Sequence, residues 1–194
     1  MKNNNQFQTS HRFAILAKLG EVIFHIDDLA NLWQVKNKNT LYTTLKRYAQ
    51  HGKLIRIYKG FYSLINPDKI DPLLLGLKAL HNYAYVGCET MLIEYGIIQQ
   101  TSATITLTSS SHKRFSVNEN NYLVRKLPVE FLFNSIGIIT TAIGIRKSNL
   151  ARSVADMLYF NPQYYFDNAN RIDWKRVKSI QKEIGYPLTP TRYV

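Results

Sequence analysis

The chain has 194 residues, of which 45% are hydrophobic and 12% aromatic, and its formal net charge is +12. This composition is sufficient for a hydrophobic core and disfavours a disordered chain. The single cysteine, Cys88, excludes an intramolecular disulfide framework and a zinc site built from several cysteines. The positive charge favours a polyanionic partner such as nucleic acid.

The first residues, MKNNNQFQTSHRF, have no apolar signal core, and the longest apolar run, 136–145, has about half the length of a membrane-spanning helix. We therefore expect a cytoplasmic protein that does not enter a membrane. Residues 1–10 are polar and are expected to fray. Ser10 is a suitable N-cap for a first helix from His11 to Leu19, which Gly20 ends.

An extended piece at Val22–His25 separates the first helix from the second. The second helix is predicted to begin at Asp27 or Asp28, where a carboxylate suits the exposed N–H groups of a helix start. It is predicted to end near Trp33, and the turn 36–39 then leads to a third helix.

The third helix is predicted to begin with Asn39 or Thr40 as its cap and to end at His51-Gly52. Apolar side chains at helical spacing form its packing face: Leu41, Leu45, Tyr48 and Ala49. The opposite face is polar and basic, with Thr43, Lys46, Arg47 and Gln50, and Tyr42 lies on the flank.

Two segments rich in β-branched and aromatic residues follow, Lys53–Ile57 and Phe61–Ile65, and they predict a β-hairpin around Tyr58-Lys59-Gly60. Three helices and a hairpin in this order are typical of a winged helix-turn-helix. The turn-forming Asn66-Pro67-Asp68 places a domain boundary after it, so we expect one domain at 1–68 and a second at 69–194.

The second domain mixes helices with strands. Helices are predicted at 73–82, 85–95, 149–159 and 173–184, with Gly96 and Gly185 as two of the ends. Strands are predicted at 104–108, 115–117, 122–126 and 131–133, and 136–145 is expected to be extended or buried. The predicted fold class is therefore α+β, an N-terminal winged helix-turn-helix followed by a mixed α+β C-terminal domain.

The stretch from Gln34 to Pro67 carries seven Lys/Arg and no acid, which favours DNA binding through the third helix and the hairpin. Arg and Lys can neutralise phosphates or bind guanine edges, and Gln can pair with adenine. The predicted DNA contacts are Lys36, Lys38, Asn39, Tyr42, Thr43, Lys46, Arg47, Gln50, Arg56 and Lys59. The alternatives are a solvated basic surface and a winged helix that binds a partner protein.

The segment LYTTLKRYAQHGKLIRIYKGFYSL resembles the N-terminal winged helix of AbiEi-type antitoxins, the transcriptional regulators of type IV toxin–antitoxin systems. Further on, ARSVADMLYFNPQYYFD is similar to the Arg-x-x-x-Asp helix of the antitoxin domain of that family. YVGCETMLIEYGII occupies the place of that domain's small-residue opening helix. The resemblance covers roughly residues 10–185.

The resemblance implies that the first domain represses its own operon by binding operator repeats in double-stranded DNA, with cooperative binding as a family expectation. It implies that the second domain counteracts a nucleotidyltransferase-like toxin encoded nearby. It also makes Arg152 and Asp156 a structural clamp. The spacing of these two residues by itself is equally compatible with an exposed ion pair, worth a few tenths of a kcal/mol at most.

Two further basic groups, at 112–114 and 171–182, are either solvated surface, a second DNA contact or a toxin-facing surface. Their members are His112, Lys113, Arg114, Arg171, Lys175, Arg176, Lys178 and Lys182. The histidines and carboxylates show no metal-binding or catalytic spacing, and no phosphate-binding glycine loop is present. We therefore expect neither enzymatic activity nor a cofactor or metal, and we discount a nuclease or nucleotidyl-transfer enzyme.

Overall fold

The computed structural model describes residues 2–188, with side chains from Gln8 onward, and divides into two units at Asp71 and Pro72. The N-terminal unit contains α1 (Lys2–Leu19), β1 (Ile23–His25), α2 (Ile26–Leu32), α3 (Lys38–Gln50), β2 (Ile55–Tyr58) and β3 (Phe61–Ser63). Its three strands form an antiparallel sheet in the order β1-β3-β2. This is the arrangement of a winged helix-turn-helix, with β2 and β3 as the wing.

Apolar side chains from all three helices meet in one core beneath this small sheet. Leu16 of α1, Leu29 of α2 and Leu41 and Leu45 of α3 are fully buried. Tyr48 of α3 packs edge-on against Trp33 at a ring-centroid distance of 6.0 Å. The buried side of α3 is therefore fixed against α1 and α2.

The three N-terminal helices begin at residues other than those predicted. α1 begins at Lys2, so Ser10 lies inside the helix and residues 2–10 are helical; no Gly or Pro interrupts them. α2 begins directly after β1 with His25 as its cap, and the backbone N–H of His25 donates to Asp28 at 3.0 Å. The cap of α3 is Asn37, since its side-chain oxygen accepts from the backbone N–H groups of the second and third helical residues.

The C-terminal unit is built on a six-stranded mixed sheet. Its strands are β4 (Ala84–Val86), β5 (Thr104–Ser109), β6 (Lys113–Val117), β7 (Asn120–Lys126), β8 (Ile138–Thr140) and β9 (Arg146–Ser148). Their order is β6-β7-β5-β4-β9-β8, in which β5·β7 and β4·β9 are parallel and the other three pairs antiparallel.

Five helices accompany this sheet: α4 (Pro72–Leu80), α5 (Cys88–Glu94), α6 (Val129–Leu132), α7 (Leu150–Phe160) and α8 (Trp174–Ile184). α4 contacts β4, β5 and β6. α5 contacts β5 and α7, and α7 also contacts β9 and α8. The C-terminal unit therefore mixes helices and sheet, and the α+β class is confirmed.

Short apolar segments of the C-terminal unit differ from their predictions. The helix expected at 85–95 is divided between strand β4 and helix α5, which starts after Gly87. The strand expected at Phe131–Phe133 is instead the end of the short helix α6, for which Pro128 is the N-terminal and Phe133 the C-terminal flanking residue. The segment 136–145, expected to be extended or buried, is extended at β8 and then forms the turn that leads to β9; β8 is partly exposed.

The strand predicted at Thr104–Thr108 is present as part of β5, and both of its alternating sets of side chains are covered toward the end of the strand. Thr106 and Thr108 are buried, because helices cover both faces of the sheet at β5. The backbone N–H of Thr106 donates to the Thr90 hydroxyl at 2.7 Å. Within residues 2–188, no helix combines the length and the apolar character that crossing a membrane requires.

Candidate nucleic-acid interface

The predicted contact face of α3 is exposed over its whole length. Thr43, Lys46, Arg47 and Gln50 are all exposed, while Leu41, Thr44, Leu45 and Tyr48 are buried. The Thr43 hydroxyl donates to the backbone carbonyl of Asn39 at 3.0 Å, which leaves its oxygen lone pairs directed outward. α3 thus presents two cations, one amide and one hydroxyl, and the helix itself contains no acidic residue.

The wing lies beside this helix. Lys59, at the tip between β2 and β3, places its ammonium 6.0 Å from the centroid of the Tyr42 ring of α3. Gly60 completes the turn at φ +87°, and its carbonyl accepts from the backbone N–H of Ile26 at 2.8 Å. The cation of the wing is therefore held close to the flank of α3.

Arg56 extends the same cationic surface along the wing. It lies on the edge strand β2, is exposed, and is in register with Tyr62 of β3. Burial raises the pKa of the Tyr62 hydroxyl, and the nearby Arg56 charge opposes that shift. The structure thus brings together Tyr42, Arg56 and Lys59, which the sequence assigned to two separate elements.

The approach to α3 contains an acid that the sequence pattern missed. Lys38, in the first turn of α3, pairs with Asp27 of α2 at 2.8 Å, with side chains 64% and 53% exposed respectively. The hydrogen bond to Asp27 and its charge raise the pKa of Lys38. The stretch from 34 to 67 is acid-free in sequence, but Asp27 partly neutralises it in space. Lys36 and Asn39 are exposed at the same end of α3.

The basic group at 171–182 is less continuous in the structure than in the sequence. Lys175, Lys178 and Lys182 share one face of α8, opposite the buried Val177 and Ile180, although Lys178 is half-buried. Arg171 lies outside α8, on a short 3-10 helix, and donates to the Gly96 carbonyl at 3.3 Å. Arg176 pairs with Glu183 at 3.4 Å. His112, Lys113 and Arg114 are exposed at the start of β6.

Arg152 and Asp156 do not form a surface ion pair. Both side chains are 0% exposed, and Arg152 Nε donates to Asp156 Oδ1 at 2.8 Å. Two tyrosine hydroxyls donate to the same carboxylate, Tyr85 at 2.7 Å and Tyr186 at 2.6 Å. The exposed alternative is therefore wrong, and the pair connects α7 to β4 and to the segment after α8.

The Arg152 guanidinium is also satisfied on its other side. Nη1 donates to the carbonyls of Asn134 and Ile136, at 2.9 and 3.0 Å, and Nη2 donates to the carbonyl of Phe131 at 3.1 Å. With the contact of Nη2 to the Tyr85 hydroxyl at 3.1 Å, all five N–H groups have acceptors. The arrangement fixes the segment from α6 to β8.

Arg152, Asp156, Tyr85 and Tyr186 form one buried cluster, in which the charge of Asp156 is paired with that of Arg152. Burial raises the pKa of the Asp156 carboxyl, and the Arg152 charge and the donated hydrogen bonds oppose that shift. Burial raises the pKa of Tyr85 and Tyr186, and the Asp156 charge adds to it. Because every member is hydrogen-bonded inside the protein, the geometry supports a structural role.

The described residues contain no group of three or more His, Cys, Asp or Glu side chains placed to hold a metal ion. Cys88 is fully buried at the start of α5, where burial raises its pKa well above that of an ordinary thiol. The sulfur lies 3.9 Å from the Thr108 hydroxyl. Cys88 is therefore a core residue.

No family model matches the chain, and no curated protein matches it. Among solved structures, the chain is similar to the crystal structure of the RV2827C protein from Mycobacterium tuberculosis, with a TM-score of 0.53 and 12% sequence identity. That match covers 93% of this chain and 72% of the other. At this identity the similarity concerns the fold, and it includes both units.

Proposed function

We propose that this protein is a sequence-specific DNA-binding transcriptional repressor. α3 would lie in the major groove, with Thr43 and Gln50 at base edges and Lys46 and Arg47 at phosphates or guanine. The wing cations Arg56 and Lys59 would bind the adjacent backbone. The observation that carries the proposal is the acid-free exposed face of α3 with Lys59 held against its flank.

The test is a binding titration with the promoter region upstream of the gene, compared with scrambled DNA at several salt concentrations. Lys46→Ala should weaken binding to both DNAs and reduce the slope of log K against log salt by about one. Lys18→Ala removes an exposed cation from α1 as the matched control and should leave the slope unchanged. An unaltered slope in Lys46→Ala would contradict the assignment of α3.

Sequence preference separates the proposed base contacts from the phosphate contacts. Gln50→Ala should relax the preference at one or two operator positions, since a bidentate base contact is worth about 1–3 kcal/mol. It should leave binding to scrambled DNA nearly unchanged. If the promoter and scrambled DNA bind equally tightly to the parent protein, sequence-specific recognition is contradicted, and if neither DNA binds, the winged helix serves protein interaction instead.

We propose further that the repressor is the antitoxin of a type IV toxin–antitoxin system. This part is supported by the resemblance of the segments around α5 and α7 to the AbiEi-type antitoxin domain. Co-expression with a nucleotidyltransferase-like protein encoded beside the gene should restore growth that the partner alone arrests. If no such gene is adjacent, the protein is a regulator without a toxin partner.

A further inference from the structure

A cleft of about 280 Å³ lies between α1 and the end of α2 in the N-terminal unit. This volume is close to the lower end of small-molecule sites, about 300 Å³, so the cleft suits a small ligand. Its polar lining consists of Gln8, His11 and Arg12 of α1 and Gln34 of the turn after α2. Because no acid is among the lining residues that the structure describes, an anion can approach Arg12 without repulsion from the walls.

The rest of the lining is apolar and consists of Ile15, Leu32 and Trp33. The indole of Trp33 is held in place, since its Nε1 donates to the backbone carbonyl of Arg12 at 3.3 Å. The Arg12 guanidinium lies over the same ring, 5.4 Å from its centroid. A ligand with an apolar body beside an anionic group can therefore contact the indole and the cation together.

The guanidinium of Arg12 has donors to spare for such a ligand. Within the part of the chain that the structure describes, its side chain makes one hydrogen bond, from Nη1 to the Tyr48 hydroxyl at 3.3 Å. A guanidinium has five N–H donors in a planar fork, and this fork matches the two oxygens of a carboxylate. Arg12 is half-buried, so water and salt screen its charge less than that of a fully exposed cation.

The backbone at Gln34 is a second, independent indication of a binding site. Gln34 has φ +53°, in the left-handed region that favours glycine. It follows Trp33, the C-cap of α2, at the position where glycine or asparagine most often ends a helix. A glutamine there is strained, and backbone strain of this kind concentrates at ligand sites. In this protein the strained residue adds an amide to the lining of the cleft.

We propose that this cleft binds a small organic carboxylate. The carboxylate pairs with the Arg12 guanidinium, and the apolar body of the ligand lies against Ile15, Leu32 and Trp33. The amide of Gln34 supplies a further hydrogen-bond donor. An inorganic anion would satisfy Arg12 but leave the apolar part of the lining in water, and a neutral apolar molecule would leave Arg12 without an anion.

Arg12 also connects the cleft to α3. It donates to the hydroxyl of the buried Tyr48, whose ring packs edge-on against Trp33. A carboxylate that binds Arg12 competes with Tyr48 for the guanidinium and alters how α1 holds α3. Ligand binding should therefore weaken DNA binding. This effect rests on the proposed function, whereas the binding site itself does not.

Tryptophan fluorescence of the full chain tests the site without DNA. The chain has two tryptophans, so Trp174→Phe leaves Trp33 as the only one and serves as the parent here. Benzoate should change the Trp33 emission and reach saturation. Benzamide has the same shape without the charge, and inorganic phosphate is an anion without an apolar body. Both should bind at least about tenfold more weakly, since a hydrogen bond to a charged group contributes about 1.5–3 kcal/mol.

Variants of α1 show whether Arg12 holds the ligand. Arg12→Gln should weaken benzoate binding by at least about tenfold, and Arg12→Lys, which keeps the charge, should weaken it less. The matched control, Lys18→Gln, removes an exposed cation from the same helix and should bind benzoate like the parent. Circular dichroism checks that each variant is folded. If Arg12→Gln does not fold, the comparison of benzoate with benzamide and phosphate decides.

Three results would overturn the site. They are benzoate binding that does not saturate, binding no tighter than that of benzamide or phosphate, and equal binding to the folded Arg12→Gln variant and the parent.

The connection to α3 is tested by titrating promoter DNA with and without saturating benzoate, at equal ionic strength. Benzoate should weaken DNA binding by about fivefold or more, as expected for coupled sites. Tyr48→Phe lacks the hydroxyl but keeps the lining of the cleft, so it should bind benzoate and lose this effect. An equal DNA affinity with and without bound benzoate would overturn the connection. If the promoter is not bound at all, the proposed function fails, and the fluorescence result still decides the site.

Discussion

Asp27 limits the charge that the N-terminal end of α3 presents to a polyanion. Its carboxylate lies 2.8 Å from the ammonium of Lys38 and, in the proposed DNA complex, would approach the same phosphates. Asp27→Asn should therefore increase DNA affinity by about fivefold, as expected for a unit charge near 4 Å in water. The binding titration measures this change. Asp68→Asn removes an exposed charge elsewhere in the unit, and an equal gain there would indicate a general charge effect.

The buried carboxylate, Asp156, is expected to matter far more for stability than an exposed one. Asp156→Asn removes its charge and leaves Arg152 buried without an anion, which costs about 3–5 kcal/mol. Glu183→Gln, which loses the exposed pair with Arg176, should cost less than about 1 kcal/mol. Urea unfolding measures both variants. Equal losses in the two would show that the cluster is not the buried clamp described above.

The tyrosines of the same cluster predict a loss of stability in alkali. Burial raises the pKa of Tyr85 and Tyr186 above the ordinary value of 10.0, so both stay protonated in the folded protein while the unfolded chain ionises. Their contribution is complete below about pH 10 and is lost as the pH rises further. Urea unfolding at a series of alkaline pH values should show a shallower decline for Tyr186→Phe than for the parent. Parallel declines would contradict this assignment.

At the scale of single elements, the N-cap residue of α3 sets where the helix begins and also stabilises it. The Asn37 side chain accepts from the N–H groups of Asn39 and Thr40 at 2.9 and 3.2 Å. Asn37→Ala should cost about 1 kcal/mol, and Asn37→Asp should retain the cap. Thermal unfolding followed by circular dichroism measures the loss. The competing prediction from sequence, a cap at Asn39 or Thr40, would instead make Asn39→Ala or Thr40→Ala the costly change.

Local signals predicted most elements, and short apolar runs were the exception. Gly20, Gly52, Gly96 and Gly185 adopt positive φ and end helices. Because this conformation favours glycine, the glycines in the sequence reveal where these helices end. A run such as Phe131–Phe133 is compatible with strand or helix, and only its packing decides. The capping residue of α3 was missed because three of the five residues at 36–40 are suitable caps. To choose among them, one has to know at which residue the backbone turns into the helix.

At the scale of the whole molecule, the α+β class was predictable, and the contacts between distant residues were not. The strand order β6-β7-β5-β4-β9-β8 requires non-consecutive strands to meet, which no local pattern encodes. Arg152 meets Tyr85 across 67 residues, so its burial could not be inferred from spacing to Asp156. The pairing of Lys38 with Asp27 likewise joins two different elements, so no local pattern predicts it. The exposed face of α3 was predictable because it depends on helical periodicity.

The net charge of +12 predicts opposite responses of stability and DNA affinity to salt. Between about 0.01 M and about 0.15 M salt the screening length falls from about 30 Å to about 8 Å, so repulsion within the folded chain weakens. The thermal midpoint should rise over this range, while affinity for DNA falls steeply. Thermal scans and binding titrations in the same sodium chloride series measure the two responses.

A change of pH separates the effect of net charge on this salt dependence from an effect of specific ion binding. Near the sequence pI of 9.8 the net charge vanishes, and the salt dependence of the thermal midpoint should flatten there. The exposed ion pairs act in the other direction, because salt weakens them, but each contributes at most about 1 kcal/mol. A midpoint that falls with salt at neutral pH would mean that these pairs outweigh self-repulsion.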